Sequence, residues 1–235
     1  MIIKASGYFL EEVSEETGHV TLDLETHKPT EGNTRRPSME FPLHLLLNRF
    51  VIHTHPVAAG ALLCSKEGAG AFRDLFPESH AFWIPYTTPG QKLFLKVKET
   101  LEKADAAGLP EKLLLLENHG LFAAAETPED AERLHDQAIH RCHQAFPPPV
   151  ISDAVKIDRR QYLTPDHVVY FHMSEASLSE KQRQCLGELE SFAARVLERI
   201  HQRGWTPRFL GAEAVHELLG MEEERYRQNL WKPKP

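Results

Sequence analysis

Between Phe50 and Cys64 the chain reads FVIHTHPVAAGALLC, and two histidines one residue apart, His53 and His55, close its apolar lead-in. Side chains alternate along an extended strand, so both imidazoles project from one face while Thr54 projects from the other; together they could grip one cation. Pro56 then ends the strand and opens a helix-like run of small residues. With 14 His in 235 residues, roughly one H-x-H triplet arises by chance. The pair therefore signifies a site only if other elements bring it partners.

Those elements are legible in pattern. MIIKASGYFL reads as a short strand turning at Ser6 and Gly7, HVTLDL alternates like a half-buried strand, and ETHKPTEGNTRR is a surface loop. Ser38 is placed as a helix N-cap, with Met39, Glu40, Leu43, His44 and Leu47 on helical spacing and Pro42 in the tolerant first turn. Beyond the triplet, one helix is expected over Val57 to Leu75, a strand in AFWI ended by Pro85, and a helix over Gln91 to Ala107. KLLLLENHGLFAAA reads as a buried strand pair or a bulged strand, since Leu113 to Leu116 are apolar toward both faces. Thr127, Pro128, Glu129 and Asp130 form a helix start, and that helix runs to about Ala145.

FPPPV, Phe146 to Val150, divides residues 1–150 from a mostly helical extension over 151–235. In the extension, YLTPDHVVYF ends like a strand. Ser179 and Gln182 make a capping box for a helix that carries Leu186, Leu189, Phe192, Ala193, Val196 and Ile200 as one stripe and stops at Gly204. That stripe is expected to pack back on the domain, because apolar faces of such size are seldom left in water. A last short helix spans about Ala212 to Arg225.

A net charge of -7 opposes an extended nucleic-acid or anionic-membrane surface. Cys64, Cys142 and Cys185 are odd in number and widely spaced, which reads as packed free thiols in a reducing compartment. The N-terminus has no signal-peptide pattern, and no run approaches the roughly 18 apolar residues of a membrane span, so a cytoplasmic protein is expected.

Four blocks in order, RPSMEFPLH, VIHTHPVAAGAL, IPYTTPGQKL and LLLLENHGLFAAAETPEDA, resemble the signature blocks of class II aldolases and adducin-type domains, such as fuculose-phosphate and rhamnulose-phosphate aldolases. The resemblance covers about Ile2 to Phe146. It implies a three-layer α/β domain with a central, mainly antiparallel sheet covered by helices, here carrying a helical C-terminal extension. It also implies that His53, His55 and His119 hold a divalent metal, zinc first, with open positions for substrate. Three neutral imidazoles in an incomplete shell suit a Lewis acid.

Glu40 stands at the family's acidic position, where a carboxylate would move a proton at the reacting carbon; the plain alternative is a solvated glutamate at a helix start. Tyr86 matches a tyrosine that reaches a neighbouring subunit's site and protonates the leaving group; the alternative is a ring anchoring a loop at a strand end. Ser6, Gly7 and Ser38 resemble phosphate ligands, while Met39 replaces a second hydroxyl common in sugar-phosphate aldolases. The family's N-terminal helix and Gly-Asn loop have no counterpart before Met1, so the domain is expected to be short at its start and its phosphate pocket incomplete. The implied activity is cleavage of a ketose phosphate or related hydroxy-carbonyl sugar through an enediolate, in a homo-oligomer, commonly a tetramer. Epimerisation or dehydration at the same site, and a non-catalytic adducin-like module, remain as alternatives. His44 is expected to be packed, His135, His140 and His143 to lie on a helix surface, and His167 and His172 carry no assigned role.

Overall fold

The computed structural model describes residues 2–4, 22–23, 28–29, 40–44, 46–147, 157–172 and 180–221. In chain order its elements begin with β1 (Ile2–Lys4), β2 (Leu22–Asp23), β3 (Lys28–Pro29), α1 (Phe41–His44), β4 (Phe50–Thr54), α2 (Val57–Leu63), α3 (Gly68–Leu75) and β5 (Ala81–Ile84). They continue with α4 (Gln91–Lys103), β6 (Glu111–Leu116), β7 (Leu121–Ala125), α5 (Pro128–Ala145), α6 (Pro165–Phe171), α7 (Glu180–Gln202) and α8 (Ala212–Gly220). A five-stranded sheet runs β1-β4-β7-β6-β5, antiparallel except where β5 joins β6, and β2 and β3 form a separate hairpin. The expected α/β architecture with a mainly antiparallel sheet is the observed one.

Helices cover both faces of this sheet. On one, Val51, Ile84, Leu114, Leu116, Phe122 and Ala124 pack against Leu43 of α1 and Leu93, Val97 and Leu101 of α4. On the other, Leu113, Leu115, Leu121 and Ala123 meet α2, α5 and α7. Alternate leucines of β6 thus enter opposite cores, and Leu113 to Leu116 are all buried. α5 begins as its sequence dictates, the Thr127 hydroxyl accepting from the Asp130 backbone N–H at 3.1 Å. Ala193, Val196 and Ile200 of α7 share the core with Ala58, Leu62 and Leu63 of α2, so this part of the apolar stripe packs back on the domain, while Leu186 and Leu189 pack with Phe171 of α6.

Some elements differ from expectation, and Lys28–Pro29, read as part of a surface loop, form β3. The single helix expected from Val57 to Leu75 is two, α2 and α3, because the turn between them pairs with the segment after α7. Cys64 O accepts from the Arg208 N–H at 2.7 Å, Lys66 N–H donates to Thr206 O at 2.9 Å, and Glu67 Oε2 accepts from Thr206 N–H at 3.0 Å. Gly68 allows the fold-back, since a Cβ there would stand 2.1 Å from Leu62 O. The strand-like end read in YLTPDHVVYF is instead α6. Pro165, His167, Val168, Val169 and Phe171 are all buried, and a helix covered on most sides loses the polar stripe that would identify it. Cys64 and Cys142 are buried free thiols, and burial pushes the Cys142 thiol up to about 12.

Candidate metal centre

His53 is the penultimate residue of β4, and its register partner on β7 is Phe122. Paired residues share a face, and the two rings stack at 3.9 Å between centroids with 12° between planes. His53 Nδ1 lies 2.9 Å from Leu121 O. A carbonyl can only accept, so this contact places the proton on Nδ1 and leaves the Nε2 lone pair free to bind. His55 follows on the same side, its Nε2 3.0 Å from that of His53.

The third imidazole arrives on the turn from β6 to β7. Asn118 takes a left-handed conformation, φ 53°, with its side-chain amide donating to Leu163 O and Arg208 O, each at 2.8 Å. His119 follows, buried, and Gly120 follows it. A Cβ on Gly120 would lie 2.4 Å from His55 Cδ2 and 2.6 Å from Thr54 O, so the absence of a side chain there is what lets the H-x-H segment and the turn close on each other.

The result is a cluster in which His53, His55 and His119 each offer a ligand nitrogen, all within 4.8 Å of one another. Imidazole nitrogens around a tetrahedral zinc, each about 2.1 Å from the metal, stand about 3.4 Å apart. The His53–His55 spacing is already near that value, and a neutral, all-imidazole donor set suits zinc among divalent ions. The three residues fit such an ion.

Glu40 turns its carboxylate into this cluster. Oε1 is 2.8 Å from His119 Nε2 and Oε2 3.3 Å from His53 Nε2, with 18% of the side chain exposed. Burial alone would raise its pKa, but the His119 and His53 imidazoles outweigh that and hold the carboxyl well below the usual range. One turn along, His44 is buried with its ring edge-on to Phe122 at 5.6 Å, and burial lowers its pKa to about 4. It is packed as expected.

Other predicted positions fall elsewhere. Ser6, Gly7 and Ser38 lie outside the described residues. Tyr86 packs its ring in a cluster with Val168, Leu210 and Leu218, its N–H donating to Glu117 Oε2 at 2.9 Å. Burial, partly offset by Thr88 and reinforced by the Glu217 carboxylate, raises its phenol to about 12.

Two participants escaped the sequence. His135, expected on the surface, pairs its Nε2 with Thr54 Oγ1 at 2.8 Å and so supports the triplet from the opposite face of β4. Asp166 Oδ2 lies 3.5 Å from His55 Nδ1. Its signal was present: Thr164-Pro165-Asp166 has the same N-cap, proline and acidic pattern that marked Thr127-Pro128-Glu129.

The fold is an α/β domain whose helix-covered, mainly antiparallel sheet delivers three imidazoles and a carboxylate to one strand end, a cluster that could hold a metal ion. The family model described as Class II Aldolase and Adducin N-terminal domain matches residues 1–146, and the chain belongs to that family. No curated protein sequence matches it. The family is generally metal-dependent and holds both class II aldolases and non-enzymatic adducins.

Proposed function

We propose that the protein is a divalent-metal-dependent lyase of the aldolase type, cleaving a ketose phosphate or a related hydroxy-carbonyl sugar. The observation that carries this reading is the convergence of His53, His55 and His119 with the Glu40 carboxylate against two of the three rings. A scaffold has no need to keep a carboxylate among metal-competent imidazoles. Zinc is the ion proposed, and when bound it would supply Lewis-acid polarisation of the substrate's carbonyl and neighbouring hydroxyl oxygens.

The chain's own residues do the rest. His53 is held by Leu121 O and by the Phe122 ring, so its ligating nitrogen is preoriented. In retro-aldol cleavage the hydroxyl β to the carbonyl loses its proton, the carbon–carbon bond breaks, an aldehyde departs and the remaining carbon takes a proton. Glu40, beside the cluster and ionised at rest, is assigned that last transfer: it would take up the proton the hydroxyl releases and pass it to the carbon. Tyr86 is assigned to the aldehyde oxygen by family resemblance; protonated at neutral pH with its pKa raised to about 12, it would donate a hydrogen bond to that oxygen during cleavage and give up its proton there only in the reverse, condensation direction. Ser6, Gly7 and Ser38 are assigned to the substrate's phosphate on the same basis. A cytoplasmic homo-oligomer goes with this reading; no helix among the described residues is long and apolar enough to cross a membrane.

Metal analysis of the purified protein and of His53→Ala tests the proposal. The parent should hold stoichiometric divalent metal and the variant should lose both metal and turnover. A metal-free parent favours the non-catalytic module, and normal metal content in His53→Ala sinks the ligand assignment. Incubation with pentulose and deoxyhexulose phosphates, with detection of dihydroxyacetone phosphate, an epimer or loss of water, separates lyase from epimerase and dehydratase.

A further inference from the structure

The family match ends at residue 146, yet the surroundings of the metal cluster do not. A ligating imidazole spends one nitrogen on the metal, and the partner of the other nitrogen sets its tautomer, ring orientation and donor strength. For His53 that partner is Leu121 O. For His55, whose Nε2 faces the cluster, the group at the outer nitrogen is the Asp166 carboxylate, 3.5 Å away.

Asp166 is placed by anchors on three sides. Before it, Leu163 O accepts from the Asn118 side chain at 2.8 Å and from the Cys64 thiol at 3.5 Å, tying the segment to the turn that carries His119 and to the end of α2. After it, fully buried His167 pairs Nδ1 with the Thr164 hydroxyl at 2.7 Å and Nε2 with Leu189 O of α7 at 3.3 Å. Pro165, also buried, fixes φ on the other flank. A carboxylate between two immobilised neighbours has little freedom except its own side-chain torsions, and its Oδ2 lies 3.5 Å from His55 Nδ1. An aspartate that merely complements a helix N-terminus would not need that placement.

We infer that Asp166 is a positioning residue for the metal ligand His55, so that the chain beyond residue 146 completes the metal centre. The inference rests on the metal site proposed above. A carboxylate behind an imidazole orients it and strengthens it as a donor, and losing such a partner weakens metal affinity about 10–100-fold.

The test uses the full chain, with Zn2+ affinity measured by competition against a chromophoric chelator and the visible spectrum recorded after Co2+ loading. Asp166→Ala should bind Zn2+ about 10–100-fold more weakly and shift the Co2+ bands. Asp166→Asn, which keeps an acceptor oxygen but no charge, should fall between, and Asp166→Glu should recover most of the affinity. Arg160→Ala, on the same segment but exposed and paired with Asp158, should match the parent. Affinities of Asp166→Ala and Asp166→Asn within twofold of the parent, with unchanged Co2+ spectra, overturn the inference while leaving the metal site standing. If Asp166→Ala does not fold, Asp166→Asn decides alone by the same criterion. A parent that takes up neither ion overturns the metal site and this inference with it.

Discussion

Gly120→Ala adds one methyl group where there is no room for it. Its Cβ would stand 2.4 Å from His55 Cδ2, 3.0 Å from His55 Nε2 and 2.6 Å from Thr54 O. Carbon–carbon contacts settle at about 3.5–4.0 Å, so the His55 ring must retreat by about 1 Å or the turn must open by as much. Metal–ligand distances tolerate about 0.2 Å, so either movement takes one of the three imidazoles out of reach. Overpacking of this kind costs about 1–3 kcal/mol, which for a chain of this size lowers Tm by roughly 2–12 °C. Gly187→Ala is the internal control: nothing stands within 4 Å of its Cβ, and it lies in α7. There alanine's helix preference should raise stability by about 0.5–1 kcal/mol, or roughly 1–4 °C. Thermal unfolding by circular dichroism in chelator gives the fold's share, and metal content after dialysis gives the site's share. A Gly120→Ala protein that melts with the parent and keeps its metal would refute the close-approach reasoning.

Asn118→Ala removes two hydrogen bonds to the segment after residue 157 and forces alanine into a left-handed conformation, together about 2–4 kcal/mol. Asn118→Gly loses the bonds but not the conformation and should be the less damaged of the two in urea unfolding; the opposite order would show that φ at this position carries no cost. His167 supplies an acid sensitivity. Burial is the main cause lowering its pKa from 6.5 to about 4, so the unfolded chain protonates first as the pH falls. The stability present in full above about pH 6.5 should drain toward pH 4, by about 3 kcal/mol from this residue, with His44 acting in the same window. Comparing unfolding at pH 7 and pH 4.5, His167→Gln should lose clearly less stability between the two than the parent does, and equal losses would falsify the assignment.

What the sequence revealed follows from which forces act locally. α5 was legible because its start depends on residues adjacent in the chain, Thr127 through Asp130. The imidazole pair was legible because strand alternation alone puts His53 and His55 on one side, whereas His119 and Glu40 came into view through the resemblance of whole blocks. The α2–α3 break was hidden because its cause, pairing of Ser65 with Pro207 and of Lys66 with Thr206, lies some 140 residues away. α6 was hidden by burial, which replaced an amphipathic pattern with a nearly continuous apolar one. With α6 read as strand-like, Asp166 had no address.

The turn Glu117-Asn118-His119-Gly120 shows why the site and the C-terminal helices act as one unit. Glu117 accepts from the Tyr86 N–H and lies 3.1 Å from Arg208 Nε. Asn118 binds the backbone at Leu163 and Arg208. His119 joins the imidazole cluster, and Gly120 admits His55 against the turn. Four consecutive residues thus serve in two structures: the first two fasten the segments that carry Leu163 and Arg208, the next two build the imidazole cluster. A displacement of that segment pulls on Asn118 and so on the backbone of His119, while the Asp166 carboxylate leaves His55 at the same time. An ion that binds only the closed arrangement must then favour docking of the C-terminal segment by the same free energy with which docking favours the ion.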